Sequence, residues 1–328
     1  MQPSAQDSLR SMASALVEHP RGIVALDARP YEAAGGGSEF EHLVATTPDL
    51  DEYVNGLVLP AASLHRRAED GRPFPRLFED VGILLGVRAD TGSAALPGSP
   101  GEVVMAGTDG LVERMAGYAS AGVRFVTCRS LTAVGDRTPS VWAVRSNAHL
   151  LARYARAAQD AGIVPVLHCG LPRDGDHSAE RGAAALATTL TRLMGELNDA
   201  GVDLPAMVLS PGVAEPGRRS AQRIGPGGVA QLTLGVLQLV VPTAVAGVAL
   251  HTGTRDRDGA VAVLAAVQEP AAPWPLTFCF GRSLISPAAQ AWRGRTWLTY
   301  RAQAELSCGV ERACAVLRPR RPQLRIAF

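Results

Sequence analysis

Eight short apolar runs, each ending in a polar or glycine-containing tip, constrain the fold of this chain more than any other feature. They are GIVALDA (22–28), VNGLVLP (54–60), VGILLGV (81–87), VRFVTCR (123–129), IVPVLHC (163–169), AMVLSPG (206–212), GVALHTG (247–253) and PLTFCFG (275–281). Near-continuous apolar strands are expected where both faces of a sheet are buried. Between them lie segments of helical period: DGLVERMAGYASAG, SVWAVRSNAHLLARYARAAQDAG, ERGAAALATTLTRLMGELNDAG, GVAQLTLGVLQLV and RDGAVAVLAAVQE. Several close on glycine, a common helix stop. Eight strand-then-helix units are what a closed parallel barrel requires. No linker rich in Pro, Gly or Ser divides the 328 residues, so the chain reads as α/β, a single (β/α)8 TIM barrel domain over 1–328. Residues 1–20 are expected to form a leading helix and 283–328 a C-terminal helix and tail.

In such a barrel the chemistry sits at the C-terminal ends of the strands, so the strand tips are the candidate functional residues. They are Asp27, Asp90, Thr127 with Arg129, His168 with Cys169, Ser210, His251 with Thr252, and Gly281 with Arg282. Each also has a plain structural use: Asp27 as a turn or cap, the histidines as satisfied core residues, Ser210 before Pro211 as a turn. The clusters ALHTGT (249–254) and CFGRS (279–283) place Thr252, Gly253, Gly281 and Arg282 where backbone N–H groups can wrap an anion. The last two strands of this architecture commonly build a phosphate site there. The stretches GGGS (35–38) and IGPGG (224–228) lack the strand and helix context of a Rossmann or Walker loop and read as loops over the barrel mouth.

Charge narrows the function. With 32 basic and 31 acidic residues the chain lacks the excess by which nucleic-acid binders neutralise phosphates. All 32 basic residues are arginine; there is no lysine, hence no lysine amine to form a Schiff base. The 5 cysteines, odd in number and without a CxxC pair, point away from a disulfide framework or zinc ribbon and toward a reducing, cytoplasmic compartment. The N-terminal stretch lacks the apolar core of a signal peptide, and the most apolar run, 232–248, is broken by Gln238, Pro242 and Gly247, so no membrane partner is expected.

Taken in order, these stretches resemble class I fructose-1,6-bisphosphate aldolase. The resemblance runs from about Gly22 to about Arg293 and is carried by GIVALDA, MAGTDGLVERMAGYASAGVRF, NAHLLARYARAAQDAGIVPVL, LPRDGDHSAER and PLTFCFGRSL. It implies a TIM barrel in which a lysine on the sixth strand forms a Schiff base with a ketose phosphate, aided by a second lysine on the fourth strand and a glutamate pair on the fifth. Here Ser210, Thr127, and His168 with Gly170 stand at those places. Asp27, Arg129, Arg282 and the Thr252–Gly253 turn are retained. The resemblance implies that the last three hold substrate phosphates and that Asp27 lies beside the former Schiff-base position. Tetramers are common in the family, and a homo-oligomer is left open here. Serine and threonine remove both charge and bulk where arginine would have filled the pocket with a permanent cation.

The leading expectation is an aldolase-like enzyme of altered, non-Schiff-base mechanism, placed in specialised biosynthesis. It would act on a phosphorylated sugar or related carbonyl compound by enolisation, isomerisation, elimination or aldol-type cleavage. His168 is the candidate acid/base residue. Asp27 would share the proton traffic, Arg129 clamp phosphate or stabilise an enolate, and Ser210 and Thr127 hydrogen-bond the carbonyl. His168 is expected to be partly protonated at neutral pH, because the lysine cations are gone and Asp27 favours the charged form. No cofactor is expected. One alternative is metal-assisted chemistry at His168, His251 and Asp27, with Cys169 a further candidate, although strand alternation sets His168 and Cys169 on opposite faces. The other is a non-catalytic protein that binds a phosphorylated ligand.

Overall fold

The computed structural model describes residues 4–26, 37–68, 71–253 and 256–318. Eight parallel strands close into a barrel: β1 (Gly22–Ala25), β2 (Val54–Leu59), β3 (Leu84–Arg88), β6 (Phe125–Leu131), β7 (Val164–Gly170), β8 (Val208–Pro211), β9 (Gly247–Leu250) and β10 (Leu276–Phe280). All eight apolar runs supply a barrel strand. Between β3 and β6 the structure adds an antiparallel pair, β4 (Ser93–Ala95) and β5 (Val103–Met105), that the sequence pattern did not announce. Three exposed residues are too short a run to show a period.

Around the barrel run α1 (Ala5–Leu16), α2 (Gly37–Ala45), the single turn α3 (Arg76–Glu79), α4 (Leu111–Ser120), α5 (Val141–Asp160), α6 (Ala179–Asp199), α7 (Pro226–Val240), α8 (Arg257–Gln268), α9 (Arg282–Trp292) and α10 (Thr299–Ala315). Two expectations are corrected. IGPGG is not a free loop: Gly225 is the N-cap and Pro226 opens α7, where a fixed φ and a missing N–H cost nothing. Of GGGS, Gly37 and Ser38 begin α2, and 35–36 lie outside the described residues. The expected terminal helix is a pair, α9 and α10, separated by a short 3-10 turn (Thr296–Leu298). Among the described residues no helix is long and apolar enough to cross a membrane.

Two cores hold the barrel. One lies between the strands and the outer helices. The other fills the interior, where Ile23, Val58, Phe125, Val164 and Val208 meet Leu9, Ala13 and Leu16 of α1. The Phe125 ring lies over β2 and β3, and a Cβ at Gly86 would overlap it, so only glycine admits the ring. Burying such a ring contributes about 1.5–3 kcal/mol. α1, fixed by the reciprocal Ser4–Asp7 capping box, thus closes the N-terminal end of the barrel. With that end packed by α1, the space within the barrel among the described residues opens at the C-terminal end.

Candidate functional site

Strand register determines which tips meet. Arg129 on β6 is level with His168 on β7, and His168 is level with Ser210 on β8. Beyond the last ladder residue of β9, His251 bridges Gly212. Period-two alternation then turns Thr127, Arg129, His168, Ser210 and His251 inward together. They line a narrow inner chamber of about 60 Å³ with Ala25, Val166, Gly253, Cys279, Gly281 and Arg282. The chamber opens into a wider outer cavity of about 410 Å³ that shares Arg129, His168, His251, Gly253 and Arg282 and adds Thr252 and Gly170. Asp27 lies outside the described residues. Of the other strand-tip candidates, all but Asp90 and Cys169 line one of these two spaces.

His168 is buried, and its Nδ1–H donates to the Ser210 carbonyl at 2.8 Å. A carbonyl can only accept, so the proton sits on Nδ1 and Nε2 carries the basic lone pair. A Cβ at position 170 would lie 2.9 Å from that Nε2. Gly170 therefore makes room for the imidazole and leaves Nε2 facing the outer cavity. His251 repeats the arrangement, Nδ1–H donating to the Cys279 carbonyl at 3.2 Å, and the two rings meet edge to face with centroids 4.1 Å apart.

Protonation corrects the expectation drawn from the substitutions. Burial, then the neighbouring His251 and Arg129, push His168 well below the ordinary imidazole value. Burial and Arg129 lower His251 to about 4. Losing two lysine cations does not raise these values, because desolvation dominates and Arg129 remains as the local cation. Both imidazoles are neutral at pH 7.

Arg129 is held through its backbone, whose N–H donates to Asp90 Oδ2 at 3.0 Å. Asp90 is itself clamped by Arg88, with Nη2 to Oδ1 at 2.6 Å. Asp90, a strand-tip candidate, thus braces β3 against β6 and does not line the cavity. At the opposite wall Gly253 adopts φ +60°, a left-handed turn that L side chains resist. Gly281 is the N-cap of α9, and Arg282 is its first residue. The positive end of a helix, the turn at Gly253 and the exposed Arg282 share one cavity, a combination with the charge and N–H groups to hold an anion.

Of the metal-ligand candidates, His168 and His251 are brought together, whereas Cys169 is buried in the outer core with its thiol pushed up to about 12 by burial. Among the described residues no three His, Cys, Asp or Glu side chains cluster to hold an ion. Sequence reading missed Arg173, Asp174, Glu215 and Arg218, which line the outer cavity from the loops after β7 and β8. LPRDGDH was noted as a motif, but nothing in its spacing turns Arg173 toward the mouth.

The comparisons agree with this geometry. Residues 36–316 match the family described as Fructose-bisphosphate aldolase class-I. The fructose-bisphosphate aldolase of Drosophila melanogaster is 33% identical over 305 residues, covering 88% of this chain and 84% of that protein. The cytoplasmic isozyme of Spinacia oleracea is 35% identical over 266 residues, 80% of this chain and 74% of its own. Among solved structures, the Plasmodium falciparum fructose-bisphosphate aldolase, crystallised with TRAP and a small-molecule inhibitor, superposes with TM-score 0.93 at 26% identity, covering 97% of this chain and 96% of that one. A closed eight-strand barrel and these matches together show that the chain belongs to the class I fructose-bisphosphate aldolase family.

Proposed function

We propose that this aldolase-family chain is a lyase-type enzyme acting on a phosphorylated sugar or related carbonyl compound by acid/base chemistry that does not pass through a lysine imine. The observation carrying this reading is a neutral His168, its Nδ1–H on the Ser210 carbonyl and Nε2 open to the cavity, in a sequence without lysine. Nε2 would take a proton from the carbon beside the substrate carbonyl, or from the hydroxyl of an aldol. The electron pair moves onto the carbonyl oxygen, where the Ser210 and Thr127 hydroxyls donate and Arg129 offsets the developing charge. Reprotonation at the neighbouring carbon gives isomerisation, loss of a β substituent gives elimination, and C–C cleavage gives the aldol products. Asp27 would share the proton traffic or orient a hydroxyl. Thr252, Gly253, Gly281 and Arg282 would hold the phosphate.

A uniformly neutral pair of imidazoles makes His168 a base in the resting state, which becomes an acid only after accepting the substrate's proton. The inner chamber's small volume favours one competing reading, a protein that binds a phosphorylated ligand without turnover. A role in specialised biosynthesis follows from the replaced lysine positions, and a cytoplasmic location fits a family that includes a relative named as a cytoplasmic isozyme. Borohydride reduction with dihydroxyacetone phosphate or fructose 1,6-bisphosphate should leave the protein mass unchanged while a panel of phosphorylated carbonyl compounds reveals turnover. A reduced adduct within the pocket sinks the imine-free mechanism. Tight binding across the panel with no turnover favours the non-catalytic reading.

A further inference from the structure

Two imidazoles open into the cavity, and the acid/base step above engages one of them. His251, half-buried just past β9, lines both the inner chamber and the outer cavity beside His168. Its Nδ1–H is tied to the Cys279 carbonyl as that of His168 is tied to the Ser210 carbonyl, so each ring keeps its lone pair on Nε2. The two nitrogens of an imidazole point nearly opposite ways. Pinning Nδ1 to the β10 backbone therefore turns Nε2 of His251 away from that wall and toward the space the ring lines. Among the described residues neither Nε2 has a hydrogen-bond partner. Polar atoms that serve packing alone are ordinarily hydrogen-bonded, whereas two bare lone pairs on one cavity are available to a ligand.

The rings meet edge to face with centroids 4.1 Å apart, close enough to address neighbouring atoms of one small molecule. At that separation two imidazolium charges repel, and Arg129, Arg282 and Arg88 face the pair with further positive charge. The carboxylates of the outer wall are Asp174 and Glu215, and Glu215 lies 3.2 Å from the Nε of Arg173. The pair thus works with at most one proton at a time.

We propose that His251 is a second acid/base residue of this site, moving the oxygen-bound proton while His168 moves the carbon-bound one, and that the substrate is accordingly an α-hydroxy carbonyl compound that this chain isomerises. The proposal rests on the acid/base reading of the site and adds the second base and the substrate class. His168 Nε2 takes a proton from the hydroxyl-bearing carbon, the C–H pair becomes a C=C bond, and the carbonyl π pair moves onto its oxygen. His251 Nε2 then takes the proton of the neighbouring hydroxyl as His168 delivers its own to the former carbonyl carbon. The O–H pair becomes the new C=O bond and the C=C pair becomes the new C–H bond. Finally His251 gives its proton to the remaining alkoxide, and both rings are neutral again. At no point does the pair hold two protons.

Proton NMR in D2O with dihydroxyacetone phosphate, fructose 6-phosphate and ribulose 5-phosphate tests it, because one spectrum reads both exchange of the carbon-bound hydrogen and formation of the isomer. The parent should isomerise at least one of them. His251→Asn, which can still offer an amide N–H to the Cys279 carbonyl, should slow isomer formation by about 10²-fold while carbon-bound hydrogen continues to exchange at the parent's rate. His168→Asn should abolish both. Should His251→Asn lower the melting temperature, His251→Gln is read in the same way. No isomer from any of the three compounds overturns the proposal, as does a His251 variant that loses exchange and isomerisation together or loses neither. Exchange or cleavage by the parent without isomer leaves the acid/base reading standing and removes the second base alone. A parent that neither exchanges nor converts any of the three counts against that reading as well.

Discussion

The two halves of the cavity divide the chemistry by depth. The inner chamber holds the buried uncharged groups, Thr127, Ser210 and His168, with a neutral His251, and meets Arg129 and Arg282 at its edge. The outer cavity is wetter and cationic, with four arginines on its walls. A charge is costly in the first place and cheap in the second, because desolvation falls steeply toward solvent. Hydroxyl and imidazole groups are suited to moving protons where water is excluded, whereas guanidinium groups on the rim bind and steer anions without titrating. The division predicts that inner substitutions alter rate, and outer substitutions alter affinity.

The largest effect should come from the inner chamber. His168→Asn keeps a side-chain amide near the Ser210 carbonyl but lacks the basic Nε2, and should lower turnover by about 10² to 10⁴, the usual contribution of general acid/base catalysis. Ligand affinity should change far less. If rate and affinity fall together, His168 is a binding contact; if neither moves, it is a packed core residue, and the division by depth fails at its centre.

At the rim, Arg282→Ala should weaken binding of a phosphorylated ligand by about 1.5–3 kcal/mol, the range for a charge-assisted hydrogen bond, with the fold intact. Titration calorimetry against phosphorylated and dephosphorylated versions of one ligand decides it. Equal affinity of the parent for both versions would remove the phosphate site from the outer cavity.

The smallest effect is on stability. Imidazoles whose folded values are lowered bind protons more readily when the chain is unfolded, so stability is lost as pH falls from about 6.5 toward the folded values. His168 and His251, both depressed, each add a slope of about 1.4 kcal/mol per pH unit within that window. Denaturant midpoints measured from pH 7 down to 5 should fall, and His251→Asn should flatten the curve. A flat parent profile would mean that one or both rings are wetter than the chamber's burial implies. The same depression places the acid limb of any kcat/KM profile that depends on neutral His168 well below pH 6.5, with a plateau through neutrality.

Most of the barrel was legible because its signal is local. Apolar runs of strand length, followed by helical spacing, mark β1, β2, β6, β7, β8, β9 and β10 almost in place, and β3 a few residues late. A strand buried on both faces has no polar option along its length. The pair β4–β5 and the opening of α7 at Gly225 and Pro226 were missed, the first because it is short and exposed, the second because glycine and proline read as a loop until the helix behind them is seen.

By itself the sequence determined the barrel, the strand tips where a ligand could sit, and the absence of any lysine for imine chemistry. All of these depend on residue identity and order along one strand. Tertiary structure decided the charge state of His168, which sequence reasoning placed partly protonated and which burial beside His251 and Arg129 makes neutral. It also decided that Gly170 clears a path to Nε2 and that the loops carrying Arg173 and Arg218 are joined backbone to backbone. A pKa is set by the solvent a group has lost and by charges from other strands, and a cavity wall by loops distant in sequence. Neither quantity has a value until the barrel closes.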